Sequence, residues 1–267
     1  MRQELQVCFK EILSRENSNA QEKAARLEWR LSCFDTGLKY AHYIQDQHFG
    51  IRGKRVLDVA CAWGGHAVAF AQRGCRVFAS DLNNHAFSSL ARFSEEHTLP
   101  LHILQADCKD LPFPDQAFDI ILALELVEHI GPVEPFAREV ARLLRPGGIC
   151  VISTPARFRS FFEGEPHYGV KGLTLLPFSW QHLVATKILG RSYSFPITSQ
   201  FPTASSVIHP FREQGLSGIA VIIGRLAERL NNWPGVLRWA RELVWSFIII
   251  QKPLRAGAPF EEVNTEQ

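Results

Sequence analysis

The chain is easiest to narrow by what it lacks. Its 267 residues contain one methionine, four tyrosines, no internal repeat and no low-complexity linker. The six cysteines, at 8, 33, 61, 75, 108 and 150, form no C-x-x-C pair and show no regular spacing. Most lie in or beside apolar runs, so reduced, buried thiols are expected rather than a disulfide framework. The start, Met1-Arg-Gln-Glu-Leu-Gln, has no apolar signal-peptide core. The longest apolar runs, such as Trp245–Ile250, fall far short of the ~20 residues a membrane span requires. A cytoplasmic protein is the expectation. A net charge of +2 and a pI near 8.2 are too balanced for a general nucleic-acid binder, so no nucleic-acid partner is expected. The average hides one local absence: from Tyr168 to Phe260 there is no Asp, and ten Lys/Arg face three Glu.

What is present is ordinary globular composition, 46% hydrophobic and 21% charged, enough for one large domain or two small ones. Residues 1–47 hold no proline and one glycine, and Leu27, Leu31 and Phe34 recur at helical spacing, continued by Leu38 and Ala41. They are expected to form one or two helices ahead of the main fold. The stretch Lys54-Arg-Val-Leu-Asp-Val-Ala-Cys-Ala-Trp-Gly-Gly-His66 reads as a buried strand, a small-residue turn and the start of an Ala-rich helix closed by Gly74. Such a unit presents unpaired backbone N–H groups to a ligand.

Strands then alternate with helices. Strands are expected at Val56–Val59, Arg76–Ser80, Leu101–Gln105, Ile120–Leu124 and Ile149–Ser153, with helices near 85–97 and 133–144 and a sharp stop at Leu144-Arg-Pro-Gly-Gly148. Continuous apolar strands separated by helices predict an α/β, doubly wound, mostly parallel sheet, with ligands at the carboxyl ends of its strands. Residues 48–155 are taken as its core and 156–203 as a loop-rich, substrate-covering insertion. Residues 204–267 complete the same sheet, with a helix near Pro210–Gln214, a strand over 216–223, a helical pair over 225–241 and a last strand at Trp245–Gln251. One domain is expected overall.

Four groups of residues could carry chemistry. Asp81, at the end of the second strand, can accept hydrogen bonds from both hydroxyls of a ribose, or can cap the following helix. Asp107, ending the third, can meet an adenine amino group, or can serve as a turn residue. Two acids beside a small-residue loop point to an adenosine-containing ligand. Glu125, Glu128 and His129 share a face if their segment is helical. They would then hold a divalent ion or supply a general base, unless they are capping acids and a structural histidine. Glu163–Gly169, with His167, could line a pocket or be a plain surface loop. Arg225–Ile250 interleaves Trp233, Trp239 and Trp245 with arginines. This suits a core-packing helix with a basic face, or a peripheral membrane contact.

These pieces together resemble the class I S-adenosylmethionine-dependent methyltransferases. The matching segments are Val56-Leu-Asp-Val-Ala-Cys-Ala-Trp-Gly64, Asp81, Gln105-Ala-Asp-Cys108, Leu111–Asp119, Glu128-His-Ile130 and Leu144-Arg-Pro-Gly-Gly148. The resemblance implies a seven-stranded, Rossmann-like sheet whose last strand is antiparallel. It implies S-adenosylmethionine held by Asp58, Ala60, Ala62, Gly64, Asp81, Asp107 and Leu124. The run Glu125-x-x-Glu-His129 is similar to the metal-associated motif of ubiquinone-biosynthesis O-methyltransferases, which implies Mg²⁺ at Glu125, Glu128 and His129. Residues 165–177 look more like methyltransferases of bacterial surface glycans. Either way the implied reaction is O-methylation of a small or lipid-linked acceptor, a phenol, quinol or sugar hydroxyl, with His129 or His167 as base. In one respect the chain departs from the family. Its acid-x-Gly-x-Gly-x-Gly loop appears here as Asp58-x-Ala60-x-Ala62-x-Gly64. Alanine in a left-handed conformation costs roughly 1 kcal/mol, and a non-catalytic, methyltransferase-like binding subunit is the alternative this raises. A nicotinamide-dependent oxidoreductase fits poorly, since the loop lacks G-x-G-x-x-G.

Overall fold

The computed structural model describes residues 1–47, 50–155, 170–191, 198, 203–221 and 247–254. The N-terminal segment forms two helices, α1 (Arg2–Ser14) and α2 (Ala20–Gln47). The apolar spacing has the consequence read from sequence: Leu31, Phe34 and Ala41 are buried, with Leu5, Phe9 and Ile12 from α1.

The main fold runs β1 (Arg55–Val59), α3 (Gly65–Gln72), β2 (Arg76–Asp81), α4 (Phe87–Glu96), β3 (Leu101–Gln105), β4 (Phe118–Leu124), α5 (Glu134–Leu143) and β5 (Leu144–Ser153). After these come a 3₁₀ turn (Leu173–Leu175), α6 (Phe178–Leu183) running into a π turn (Val184–Ile188), α7 (Ala204–Arg212), β6 (Ser217–Val221) and β7 (Phe247–Gln251). The strands form one seven-stranded sheet in the order β3-β2-β1-β4-β5-β7-β6. β1 pairs in parallel with β2 and β4, and β2 with β3, whereas β7 is antiparallel to β5 and β6. This is the mostly parallel, Rossmann-like sheet with an antiparallel last strand expected above.

Residue contacts divide the chain into two compact units. The first takes Met1–Leu122 and Leu143–Gly148, the second Ala123–Arg142 and the described residues from Ile149 onward. In the first, Val56, Leu57, Val77, Ala79, Ile120 and Ile121 are buried, as are the alanines of α3. Near-continuous apolar strands of this kind belong to a sheet covered on both faces. In the second, Ile248, Ile249 and Ile250 lie buried with Val151 and Ile152, and Phe136 of α5 meets Phe211 of α7 edge to face at 6.2 Å.

Asp119 ties together three segments of the first unit. Its Oδ2 accepts the Arg55 N–H at 2.8 Å, and its Oδ1 faces Arg145 Nη1 at 3.2 Å and Lys54 Nζ at 3.8 Å. The start of β1, the start of β4 and the Arg-Pro-Gly-Gly stretch thus meet at one carboxylate. Gly148 is required there, because a Cβ would lie 2.9 Å from the Arg145 carbonyl and 3.1 Å from that of Asp119. Phe113 completes this region. It packs edge-on against Phe118 at 4.9 Å and Phe78 at 5.5 Å, which accounts for the aromatic in Leu111-Pro-Phe-Pro.

Three expectations need correction. β5 begins at Leu144, so the Arg-Pro-Gly-Gly stretch enters the strand rather than preceding it. The helix expected at Pro210–Gln214 is α7, and Pro210 lies inside it. It opens six residues earlier because Thr203 and Ser206 form a capping box, with Ser206 N–H bonded to Thr203 Oγ1 at 3.2 Å. The loop-rich reading of 156–203 fails between 173 and 188, where α6 and its neighbours lie. The helical pair expected over 225–241 lies outside the described residues, as do His167 and the rest of 163–169.

Asp119→Ala should lower the unfolding free energy by about 2 kcal/mol, since it removes the acceptor of a partly buried backbone N–H along with two cationic contacts. Asp119→Asn keeps an acceptor and should cost about half as much. Urea unfolding of the three proteins checks this, and a loss under about 0.5 kcal/mol for both variants would contradict it.

Candidate active site

Strand order reverses after β1, and doubly wound sheets take ligands outside the carboxyl ends of their strands at such a reversal. There the chain leaves β1 through a loop with three left-handed residues at alternate positions: Ala60 (φ 57), Ala62 (φ 50) and Gly64 (φ 75). The two alanines thus take up the strained conformation that their glycine-like spacing implied. Glycine is favoured at 64, because a Cβ there would be strained at this φ and would force Leu90 Cδ2, 2.4 Å away, to shift. The loop is closed by its own backbone. Cys61 N–H bonds the Ser80 carbonyl at 2.9 Å, and Gly64 N–H bonds that of Cys61 at 2.8 Å.

Asp81 ends β2 beside this loop. Its Oδ2 accepts the Ala62 N–H and its Oδ1 the Asn83 N–H, both at 2.8 Å. The carboxylate therefore fixes the loop and still has one lone pair per oxygen for a ligand. One strand further over, Asp81 stands opposite Gln105 in register, and Asp107 follows two residues on. Asp107 Oδ1 accepts the Lys109 N–H at 2.9 Å, so Asp107 does act as a turn residue, whatever else it binds. The loop, Asp81 and Asp107 thus stand at the ends of three neighbouring strands.

Asp58 lies beneath the loop, 1% exposed, and its Oδ2 has no hydrogen-bond partner. Burial pushes its pKa up to about 8; the bond from the Ala67 N–H opposes this, and the Asp81 carboxylate adds to it.

The sequence reading missed a clamp on the loop. Trp63, 2% exposed, donates its indole N–H to His85 Nε2 at 3.1 Å. His85 Nδ1 lies 2.9 Å from Asn83 Oδ1, so the proton belongs on Nδ1 and the imidazole is a neutral acceptor towards Trp63. Phe9 of α1 meets the indole edge-on at 5.4 Å, and Arg30 of α2 lies 5.0 Å from its centroid. The N-terminal helices therefore hold the loop as well as extending the core. A Trp inside a small-residue loop was the available signal.

A second group of polar residues follows β4, whose last residue, Leu124, is buried. Glu125 is left-handed (φ 53), and residues 125–129 form turns rather than a helix. Glu125 N–H bonds the Ser153 carbonyl at 2.9 Å, and its Oε1 accepts the Ser153 hydroxyl at 2.7 Å. The Glu128 side chain is 3% exposed, and His129 Nε2 lies 3.9 Å from its Oε1. Neither Glu128 oxygen has a partner in hydrogen-bonding geometry. Burial first, and then the nearby Glu125 carboxylate, raise its pKa well above the usual carboxylate range. Thr198, which the sequence did not single out, anchors this turn: its N–H bonds the Glu128 carbonyl at 2.8 Å, and its Oγ1 accepts the Gly131 N–H at 2.8 Å.

This geometry gives the expected Mg²⁺ site no support. The shared face of Glu125, Glu128 and His129 presupposed a helix, and none forms. Among the described residues no three His, Cys, Asp or Glu side chains gather to hold a metal ion.

The six thiols are all free and five are buried. Burial raises Cys8 to about 11 and Cys75 and Cys108 to about 12, so these thiols stay protonated.

A left-handed small-residue loop after β1, an acid closing β2 and this strand order define the class I methyltransferase fold, and the comparisons agree. Residues 57–152 match the family described as a methyltransferase domain. A fatty-acid O-methyltransferase of Mycolicibacterium smegmatis is 41% identical over 101 residues, 37% of this chain and 36% of that protein. A ubiquinone biosynthesis O-methyltransferase of Rickettsia akari is 27% identical over 107 residues, 40% and 42% of the two chains. Among solved structures, an S-adenosylmethionine-dependent methyltransferase from Mesorhizobium loti superposes with a TM-score of 0.54 at 14% identity. It covers 82% of this chain and all of its own, a likeness of fold. Residues 57–152 thus match a methyltransferase domain, and the sheet has the fold of the class I methyltransferases. The chain spans about a third to a half of the length of the curated relatives it matches.

Two outcomes follow from the loop. Ala60→Gly and Ala62→Gly should each stabilise the protein by roughly 0.5 kcal/mol, since relief of left-handed strain exceeds the entropy glycine adds to the unfolded chain; destabilisation in urea would refute this. Asp58 binds its proton more tightly folded than unfolded, so its contribution is complete below pH ~4 and is lost as pH rises towards 8. Asp58→Asn keeps an acceptor for Ala67 and should flatten that decline, leaving the variant more stable than the parent at pH 8. Parallel stability curves from pH 5 to 8 would contradict the assignment.

Proposed function

We propose that the chain transfers a methyl group from S-adenosylmethionine to an oxygen of a small or lipid-linked hydroxyl acceptor, a phenol, quinol or sugar. The observation that carries this reading is the left-handed loop at Ala60, Ala62 and Gly64, tied through the Ala62 N–H to Asp81. Such a loop exposes backbone to a ligand, and Asp81 keeps acceptor capacity for two ribose hydroxyls. Asp58, Ala60, Ala62, Gly64, Asp81, Asp107 and Leu124 are the residues assigned to the cofactor, with Asp107 near the adenine. When bound, the cofactor supplies a methyl group already activated on a sulfonium, so orienting the acceptor oxygen provides most of the rate. His129 takes the proton released by the acceptor hydroxyl. His167 is the other base assigned from the sequence. The names of the fatty-acid and ubiquinone relatives support an oxygen acceptor.

One observation favours a second reading. Two alanines stand where ligand-contacting backbone is usually glycine, and Asp81 already has a partner on each oxygen. A binding subunit without turnover would tolerate both.

Titration calorimetry with S-adenosylhomocysteine separates the readings. Binding in the micromolar range is expected, with Asp81→Ala weakening it at least about tenfold through the loss of charge-assisted bonds. His129→Ala should lower turnover of a hydroxyl acceptor by about a hundredfold or more while leaving that binding unchanged. No binding at millimolar ligand would sink the enzyme reading.

A further inference from the structure

Ten large hydrophobic side chains stand exposed among the described residues, and six of them fall between 175 and 189: Leu175, Phe178, Trp180, Leu183, Ile188 and Leu189, at 39–71% exposure. Five belong to the 3₁₀ turn, α6 and the π turn that follows, and Leu189 comes directly after it. The usual distribution of sizes is inverted here. The face turned inward is built from Leu173 and Ala185, with Val170, Leu176 and Val184 packed about them. Gln181 is buried too, its amide bonded to the Leu176 carbonyl at 2.9 Å. The bulkier residues, including a tryptophan and a phenylalanine, face out.

Exposed apolar groups concentrated in one short segment mark a docking surface, and the surrounding charge indicates for what. Residues 170–191 contain Lys171, Lys187 and Arg191 and no Asp or Glu, and all three cations are exposed. A partner protein of mixed surface charge has no use for a rim of one sign, whereas a bilayer presents anionic headgroups above hydrocarbon. Trp, Phe, Leu and Ile on a short helix with a cationic edge, and no run long enough to span, are the composition of an element that lies in a bilayer interface. Among the described residues no helix is long and apolar enough to cross a membrane.

We propose that residues 171–191 dock the protein onto an anionic lipid surface, with Trp180, Leu183 and Ile188 entering the interface and Lys187 and Arg191 facing the headgroups. This is a different segment from the basic, Trp-bearing stretch 225–250 singled out in the sequence. It requires neither cofactor binding nor methyl transfer.

Co-sedimentation of the full chain with phosphatidylcholine vesicles, with and without phosphatidylglycerol, tests it. The parent should pellet with the anionic vesicles and less with the neutral ones. The double variant Trp180→Ser/Ile188→Ser should lose at least about tenfold in partition on both. Lys187→Glu/Arg191→Glu should lose roughly tenfold or more on anionic vesicles alone. Because these side chains are exposed, parent-like unfolding midpoints are expected, and they separate lost docking from lost folding. The proposal is overturned if the parent stays in the supernatant with both vesicles or if the variants pellet like the parent. It is equally overturned if sedimentation velocity shows a dimer that the same substitutions dissolve, since a second copy would then cover the surface. A failure to bind S-adenosylhomocysteine in calorimetry would end the enzyme reading and leave this outcome untouched.

Discussion

The constraint on which the first unit depends is the reversal between β1 and α3. In five residues the chain must leave a fully buried strand and start a helix, and it does so by visiting the left-handed region three times. Two of those visits are made by alanine, at roughly 1 kcal/mol each. That strain persists because the surroundings determine the loop from several sides. Ser80 and Asp81 of the neighbouring strand receive its N–H groups, Leu90 closes on Gly64, and Phe9, Arg30 and His85 hold Trp63. A conformation maintained against local preference by contacts from four elements is characteristic of a site rather than of a plain connection.

Much of this was legible beforehand, and the reason is periodicity. Buried parallel strands must be apolar along their length, so Val56–Val59, Val77–Ala79 and Ile120–Leu124 announced themselves, as did the acids that end them. The carboxyl-end rule then placed Asp81 beside the loop and Asp107 one strand further over. Glu125–His129 went wrong because i, i+3 and i, i+4 spacing brings side chains together only on a helix. A glutamate adopting a positive φ just after a strand leaves no mark in composition. The bond that fixes it comes from Ser153, 28 residues away. Thr203 and Ser206 could have been read as a capping box, but Pro210 was the louder signal and was taken for the first residue of the helix. Thr198 gave no signal at all: a lone threonine becomes informative only once its partners, Glu128 and Gly131, are known.

The turn after β4 encloses a buried acid. Glu128 is a buried carboxyl, and ionising it would place a second negative charge near Glu125 in a poorly solvated turn. Burial and the like charge act in the same direction, so the acid form is favoured. Glu125, fixed through the Ser153 hydroxyl, is the carboxylate that restrains it.

The alanines of the loop bear on whether such a domain retains its chemistry, and the structure changes the force of that departure. A substitution that lost the left-handed conformation would have redirected the backbone and taken the Ala62 N–H away from Asp81. Here the left-handed conformation is kept by both alanines, and the Ala62 N–H still meets Asp81. What remains is the volume of two methyl groups and the stability they cost. The second of these is a charge on the folded state as a whole and says nothing about ligand affinity, which depends on where the methyls point once a nucleoside lies against them. The departure from glycine is therefore weaker evidence against a working site than the pattern suggests, and the intact bond from the loop to Asp81 is stronger evidence for one.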